Sequence, residues 1–244
     1  VSISAGSHGD STDSGIVIAV DGPSASGKSS TSRGTARALG LRYLDTGAMY
    51  RALTWWMLSH GIPVDDADAV ARHVGAAAIE VGTDPDGPWV TVDGRDVTAA
   101  IRAREVSGAV SAVARVPQVR ARLIGMQREI IARARAEGRG IVAEGRDIGT
   151  VVAPDAVVKV FLTASEVARA TRRTAELATD PTATVTTTQA EQARRDRMDA
   201  AQMAKAPDAV DIDSTLFPLE DVIEMIADLT AQRAELPDTA RTTR

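Results

Sequence analysis

Cysteine and asparagine are both absent from the 244 residues, and only three lysines occur: Lys28, Lys159 and Lys205. Without cysteine there is no disulfide scaffold, no thiolate-held zinc and no thiol nucleophile. Without asparagine there is no N-glycosylation site, and the N-K-x-D motif with which a switch GTPase reads guanine cannot be present in its usual form. No apolar run reaches the roughly 18 residues of a membrane-spanning helix, and the chain opens on no signal-peptide pattern. Histidine is scarce as well. His8, His60 and His73 stand far apart with no second ligand at metal spacing, which reads as structural or surface use. The expectation from these absences is a cytoplasmic protein that does not engage a membrane.

Positive charge is in deficit overall, with a net −5 at pH 7, and general nucleic-acid binding usually needs the opposite. The bases present are nonetheless unusual, twenty-five arginines against three lysines. Compositional drift of the coding genome is one explanation for the skew. Its distribution is more telling: eight arginines and only three acids (Glu129, Glu137, Glu144) lie between Arg115 and Arg146. A locally cationic stretch in a mildly acidic chain suits a small anionic ligand better than a long polyanion. Composition is otherwise that of a globular protein, 44% apolar and 25% charged, and the length accommodates a core domain plus an insertion.

Residues 1–15 are Ser/Gly/Asp-rich without periodicity and are expected to be a disordered leader, with a flexible tail over 234–244. Between them, short apolar β-type runs alternate with helical stretches, the pattern of a parallel α/β sheet. Strands are expected at Ile16–Val20, Arg42–Leu44, Gly140–Ala143, Val157–Leu162 and Ala209–Ile212. Helices are expected over about 28–39, 48–59, 116–136 and 218–233. The segment 65–105 breaks this rhythm. Ile79–Val81, Trp89–Val92 and Asp96–Thr98, joined by Thr-Asp-Pro-Asp-Gly-Pro and Asp-Gly-Arg, read as an antiparallel meander inserted into the core of 16–64 and 106–233. The polar stretch Thr179–Gln189 is a candidate mobile segment. Trp55 and Trp56 lie on a helix and read as core packing rather than stacking platforms.

One motif carries chemistry directly. Gly22-Pro23-Ser24-Ala25-Ser26-Gly27-Lys28-Ser29 fits G-x-x-x-x-G-K-[ST], directly after a strand and directly before a helix. Its glycines let successive N–H groups turn toward phosphate oxygens. Lys28 is placed to reach the β and γ phosphates, and the Ser29 hydroxyl to ligate a Mg²⁺ ion brought in with ATP. The motif implies a nucleoside triphosphate without saying what is done with it. Motor and oligomeric ATPases are normally longer than this chain, so small-molecule phosphotransfer leads.

Phosphoryl transfer asks the protein chiefly for positioning and charge stabilisation. If the acceptor is itself a phosphate, arginines become necessary, because their planar forks bind phosphate bidentately and stay charged. Asp45-Thr46-Gly47-Ala48-Met49-Tyr50-Arg51 follows the second strand. Ala143-Glu144-Gly145-Arg146-Asp147-Ile148-Gly149-Thr150 follows a later one, at the strand ends where open α/β sheets bind ligands. Each has a plain structural alternative: Arg51 as an exposed helix arginine, and Arg146 with Asp147 as a salt bridge.

In order and spacing these segments, with Asp21-Gly22-Pro-Ser-x-Ser-Gly-Lys, Glu105-Val-Ser-Gly-Ala-Val-Ser111 and Pro117-Gln-Val-Arg120, resemble the bacterial cytidylate kinases over about residues 16–230. The resemblance implies the P-loop nucleoside monophosphate kinase fold: α/β, with a parallel five-stranded sheet flanked by helices. The 65–105 segment would be the monophosphate-binding insert, with a short lid at about 170–190. It implies transfer of the γ-phosphate of ATP to CMP or dCMP, with Mg²⁺, by a monomer. By the same resemblance Ser111, Arg120 and Asp147 read cytosine, with Asp45, Thr46 and Tyr50 beside them. Arg51 and Arg146 hold the acceptor phosphate, and Arg195 and Asp199 the phosphate and ribose. Arg169, Arg172 and Arg173 flank the ATP phosphates together with Ser30, and Lys28, Arg146, Arg172 and Arg195 are the catalytic cations. Base chemistry agrees independently: a carboxylate complements the cytosine N4 amino group, whereas uracil presents an acceptor there. Other acceptors such as UMP or shikimate, and a regulator that binds ATP without catalysis, are the rival readings. Gln202 departs from the family pattern, standing where an arginine is expected, and the connection after Asp199 is about four residues short. Either Arg197 or Lys205 compensates, or the acceptor phosphate is held more weakly.

Overall fold

The computed structural model describes residues 15–176 and 184–234. The expected leader before Gly15, the centre of the expected lid and the expected tail after Ala234 lie outside the described residues.

The centre is strand β1 (Val17–Asp21), buried along its whole length. Its alternation of side chains feeds two hydrophobic clusters, one on each face of the sheet. Val17 and Ala19 point into one, and Ile18 and Val20 into the other. Parallel strands buried on both faces read as continuous apolar runs, which is why β1 was legible as a strand. β1 lies between β6 (Ile141–Gly145) and β7 (Val158–Thr163), with β2 (Arg42–Asp45) and β8 (Val210–Asp213) at the edges. The sheet order is therefore β2-β6-β1-β7-β8, all parallel. In this register Asp21 pairs with Gly145 and Phe161, Asp45 with Glu144, and Thr163 with Asp213. The segments that leave the carboxyl ends of all five strands consequently emerge side by side, at the edge where such sheets bind ligands.

Helix α1 (Lys28–Ala38) and the long α8 (Leu219–Ala234) cover one face, and they approach closely. A Cβ at Gly34 would stand 2.1 Å from Ile223 Cδ1. On the other face α2 (Thr46–Ser59) starts at Asp45, whose carboxylate caps the Ala48 N–H at 2.8 Å. Three further helices lie on this side: α3 (Ala67–His73), α4 (Arg104–Ala114) and α5 (Pro117–Ala136), the last opening with proline at a first-turn position.

Strands β3 (Ile79–Val81), β4 (Val90–Val92) and β5 (Arg95–Asp96) form the antiparallel three-stranded sheet. Ile79, Val90 and Val92 belong to the same hydrophobic cluster as Leu44 and Met49, so this sheet has no core of its own. Its β3–β4 turn is also tied to β2 of the main sheet and to α1. Tyr43 N–H donates to Thr83 O at 2.9 Å, and Arg33 Nε donates to Pro85 O at 3.1 Å.

α6 (Glu166–Glu176) and α7 (Val185–Asp199) pack together. The stretch expected to be mobile is helical from Val185 onward. Its reason is local: Thr184 and Thr187 form a reciprocal capping box at the start of α7. Trp55 and Trp56 are structural, as expected. Trp56 is buried and donates from Nε1 to Asp93 at 2.7 Å, His60 stacks on it at 4.2 Å, and Trp55 lies beneath Arg95.

Candidate active site

The segment after β1 turns on Gly22, whose φ is 147° and whose added Cβ would fall 2.1 Å from the Leu162 carbonyl oxygen. Only glycine lets the loop pass β7 so closely. At the far end Gly27, with φ 94°, caps α1 in the left-handed region. Lys28 is buried and folds back so that Nζ donates to Pro23 O at 2.6 Å. Three other loop carbonyls are grasped by cations from other elements. Arg146 donates to Gly22 O at 2.7 Å, Arg169 to Ser24 O at 3.2 Å and Arg172 to Ser26 O at 3.3 Å. Ser214, leaving β8, adds a hydrogen bond to Ser26 O at 3.0 Å.

Facing this loop is a second group of charged side chains. Arg51, one and a half turns into α2, reaches back to Asp45 at 2.7 Å. Arg146 pairs with Asp199 at 3.2 Å, and Arg120 pairs with Asp147. Neither plain alternative from the sequence holds: Arg51 is not an exposed arginine, and Arg146 does not pair with Asp147. A cavity of about 810 Å³ joins the two groups, near the top of the roughly 300–1,000 Å³ range of small-molecule sites. Its walls include Ser24, Lys28, Ser29, Asp45, Thr46, Tyr50, Arg51, Ser111, Arg120, Arg146, Asp147, Arg172, Arg173, Arg195 and Asp199.

The electrostatics of this cavity favour an anion. Arg195 is largely buried, and burial, then Arg146, with further contributions from Arg51 and Arg173, pulls its guanidinium down to about 10 despite Asp199. Its Nε makes no hydrogen bond, and neither do Arg51 Nε and Ser111 Oγ. Buried donors without partners are rare in native proteins and point to a ligand. Burial likewise pulls the Lys28 ammonium well below its ordinary range, with Arg146 adding to the effect. A phosphate arriving here would relieve both.

The carboxyl groups shift the other way. Burial, reinforced by Asp45, raises Glu144, which accepts a hydrogen bond from the Tyr43 hydroxyl. Burial also pushes Asp21 up to about 6, although both its oxygens accept backbone N–H bonds, from Ile148 and Gly149 at 2.8 Å each. Asp21 thereby fixes the segment carrying Arg146 and Asp147 beside the phosphate loop.

A glycine-rich loop of the phosphate-binding pattern thus faces a second group of arginines across one cavity. The sequence profile of the family described as cytidylate kinase matches residues 18–232. The chain belongs to the cytidylate kinase family. Among its relatives are the cytidylate kinase of Streptomyces avermitilis, 49% identical over 89% of this chain and 94% of that protein, and that of Streptomyces coelicolor, 51% identical over the same shares. A gluconokinase from Sinorhizobium meliloti has the same fold, with a TM-score of 0.50 and 16% identity, covering 95% of this chain and 98% of that one. As a member of the cytidylate kinase family, the protein is an ATP-dependent nucleoside monophosphate kinase.

Within this kinase most of the residues singled out by sequence converge on the cavity. Gly22, Pro23 and Ser26 shape its loop without lining it, while Ala25, Gly27 and Ser30 line it. Arg169 is elsewhere: it lies against the loop's outer side, buried, and contributes no wall. Gln202 does line the cavity and donates to Ala114 O at 3.4 Å. The two bases considered as its substitutes stand away from the cavity, Lys205 on Asp211 at 2.7 Å and Arg197 exposed on α7. Arg33 and Arg102 line it instead, as does Trp89. Sequence reasoning gave no role to Tyr43, Glu144, Asp196 or Ser214. Glu144 opens the quoted Glu-Gly-Arg-Asp run and Asp196 follows Arg195, so both had a signal in the pattern. Tyr43 and Ser214 had none.

Proposed function

We infer that this kinase transfers the γ-phosphate of ATP to CMP or dCMP, releasing ADP and CDP or dCDP. The observation that carries the reading is the bare, buried Arg195 amid Arg51, Arg146 and Arg173, across the cavity from Lys28. Carboxylates pair with Arg51, Arg146 and Arg173 but leave Arg195 Nε without a hydrogen bond, and the phosphates of two facing nucleotides would complete the charge balance.

The triphosphate lies along Gly27–Ser29, with Lys28 swinging from Pro23 O to the β and γ oxygens. Arg172 and Arg173 close on the same phosphates, and Arg169 supports the loop from behind. Arg51, Arg146 and Arg195 hold the acceptor phosphate in line, and Asp199 takes the ribose. Ser111, Arg120 and Asp147 face the base. No general base is needed, because the acceptor phosphate is already ionised. The Ser29 hydroxyl, beside the carboxylates of Glu144 and Asp45, offers the hard oxygen donors that suit Mg²⁺. Bound there with ATP, such an ion would neutralise charge on the β and γ phosphates. The antiparallel insert serves as the acceptor-side wall, through Val81, Trp89 and Val90.

Turnover of CMP, dCMP, UMP, AMP and shikimate with ATP tests the assignment. CMP and dCMP should exceed the rest, and equal rates for all five reject cytosine recognition. Asp147→Ala should narrow the CMP-over-UMP preference in kcat/KM by about 1–3 kcal/mol, the scale of one base-edge contact.

A further inference from the structure

We propose that Asp196 is a positioning residue that couples the acceptor half of the site to the phosphate loop, by clasping Arg169 and the Ser24 peptide from helix α7. The proposal rests on the reading of Arg146 and Arg195 as acceptor-phosphate ligands.

Three hydrogen bonds close the clasp. Asp196 Oδ2 accepts from Arg169 NH1 at 2.6 Å, Asp196 Oδ1 accepts the Ser24 N–H at 3.5 Å, and the same Arg169 nitrogen donates to Ser24 O at 3.2 Å. One ion pair, built from α6 and α7, therefore holds both polar groups of a single loop residue. The pair is shielded, its side chains only 8% and 19% exposed, so it escapes the solvent screening that makes surface pairs weak. Ser24 lines the cavity, whereas Arg169 and Asp196 do not. Whatever the pair does to substrates, it does through the loop.

Asp196 is also bonded in sequence to the acceptor side. Arg195 precedes it and Asp199 follows within one turn, and both line the cavity. Asp199 holds Arg146, which donates to Gly22 O. A second tie joins the two helices, from Gln192 Nε2 to Arg169 O at 3.3 Å. An anion drawn onto Arg195 and Arg146 thus acts on the loop at two points, Gly22 through Arg146 and Ser24 through Asp196. Asp196 lets an occupied acceptor site set the loop for the donor, which reduces transfer of phosphate to water when no acceptor is bound.

The experiment is calorimetric titration of the full chain with the non-hydrolysable ATP analogue AMPPNP plus Mg²⁺, with and without saturating CMP. The ratio of the two dissociation constants is the coupling. In the native protein CMP should tighten AMPPNP by about fivefold or more, and in Asp196→Ala that factor should fall to within about twofold of unity while CMP alone still binds with native affinity. Asp196→Glu should restore part of it, and Asp196→Asn, which keeps an acceptor for Ser24 but not the charge facing Arg169, should lie between. A native coupling factor near one overturns the proposal. So does an unchanged factor in Asp196→Ala, or equal weakening of both ligands with a lowered Tm, which is a purely structural role. If the alanine variant does not fold, the isosteric asparagine variant decides: a coupling factor clearly below the native one supports the proposal, and an unchanged factor overturns it. Failure of CMP to bind the native chain alone would instead strike the acceptor assignment beneath it.

Discussion

On the proposed reading, single side chains divide into those that would touch phosphate and those that set the charge around it. Lys28 is the first kind. Lys28→Ala should abolish transfer while CMP binding survives, as calorimetry with CMP alone would reveal. Loss of CMP binding in that variant would contradict separate donor and acceptor halves. Asp21 is the second kind, and its raised value makes a statement about stability. A carboxyl that holds its proton more tightly when folded stabilises the native state fully below its unfolded value of 3.8, and that contribution is lost as pH rises through about 6. Asp21→Asn cannot titrate. Between pH 4 and 6.5 the native chain should therefore lose stability relative to this variant by up to about 3 kcal/mol in urea unfolding. A constant difference across that range would mean Asp21 is ionised throughout.

At the scale of elements, backbone approach matters more than propensity. Gly22 has the Leu162 carbonyl oxygen 2.1 Å from where a Cβ would stand, whereas a Cβ at Gly125, on α5, meets nothing within 4 Å. Gly22→Ala should cost at least about 1–3 kcal/mol from backbone strain alone and weaken AMPPNP binding. Gly125→Ala should stabilise by up to about 1 kcal/mol, because glycine is a poor helix former. Thermal unfolding of both variants checks the contrast. The strands of the main sheet could be read from sequence to within a residue or so; for the central β1 and β6 the reason is that strands buried on both faces are nearly continuously apolar. The helices α3, α4, α6 and α7 were not among those expected. α7 in particular carries Thr, Gln and Arg along most of its length, and its packing on α6 and its capping box supply what an apolar stripe would otherwise announce. The Val106, Val110 and Val113 spacing in α4 did carry such a stripe, and the helix was nonetheless missed.

For the molecule as a whole, the antiparallel insert shares a hydrophobic cluster with the main sheet, so the two should unfold as one cooperative unit. Val92→Ala, at a position 2% exposed, should lower global stability by about 2 kcal/mol, with calorimetry still giving a single transition. Two resolved transitions would make the insert an independent unit. The exposed pair Arg37–Asp86, by contrast, should be worth under about 1 kcal/mol. Sedimentation with and without nucleotides would test the expected monomer.

The order of motifs along the chain, the phosphate loop in its strand–loop–helix setting and the bias toward arginine determined the family and the two-anion chemistry. Local composition can specify these things, because a glycine that must turn or a guanidinium that must stay charged is the same in any fold. Partnership was decided only by tertiary structure. Arg146 pairs with Asp199 and Arg120 with Asp147, while Arg169 lies behind the loop. Charged side chains are long, and several partners lie within reach of each in sequence. Which one it meets is fixed when parallel register sets the strand ends of β1, β2, β6, β7 and β8 next to one another.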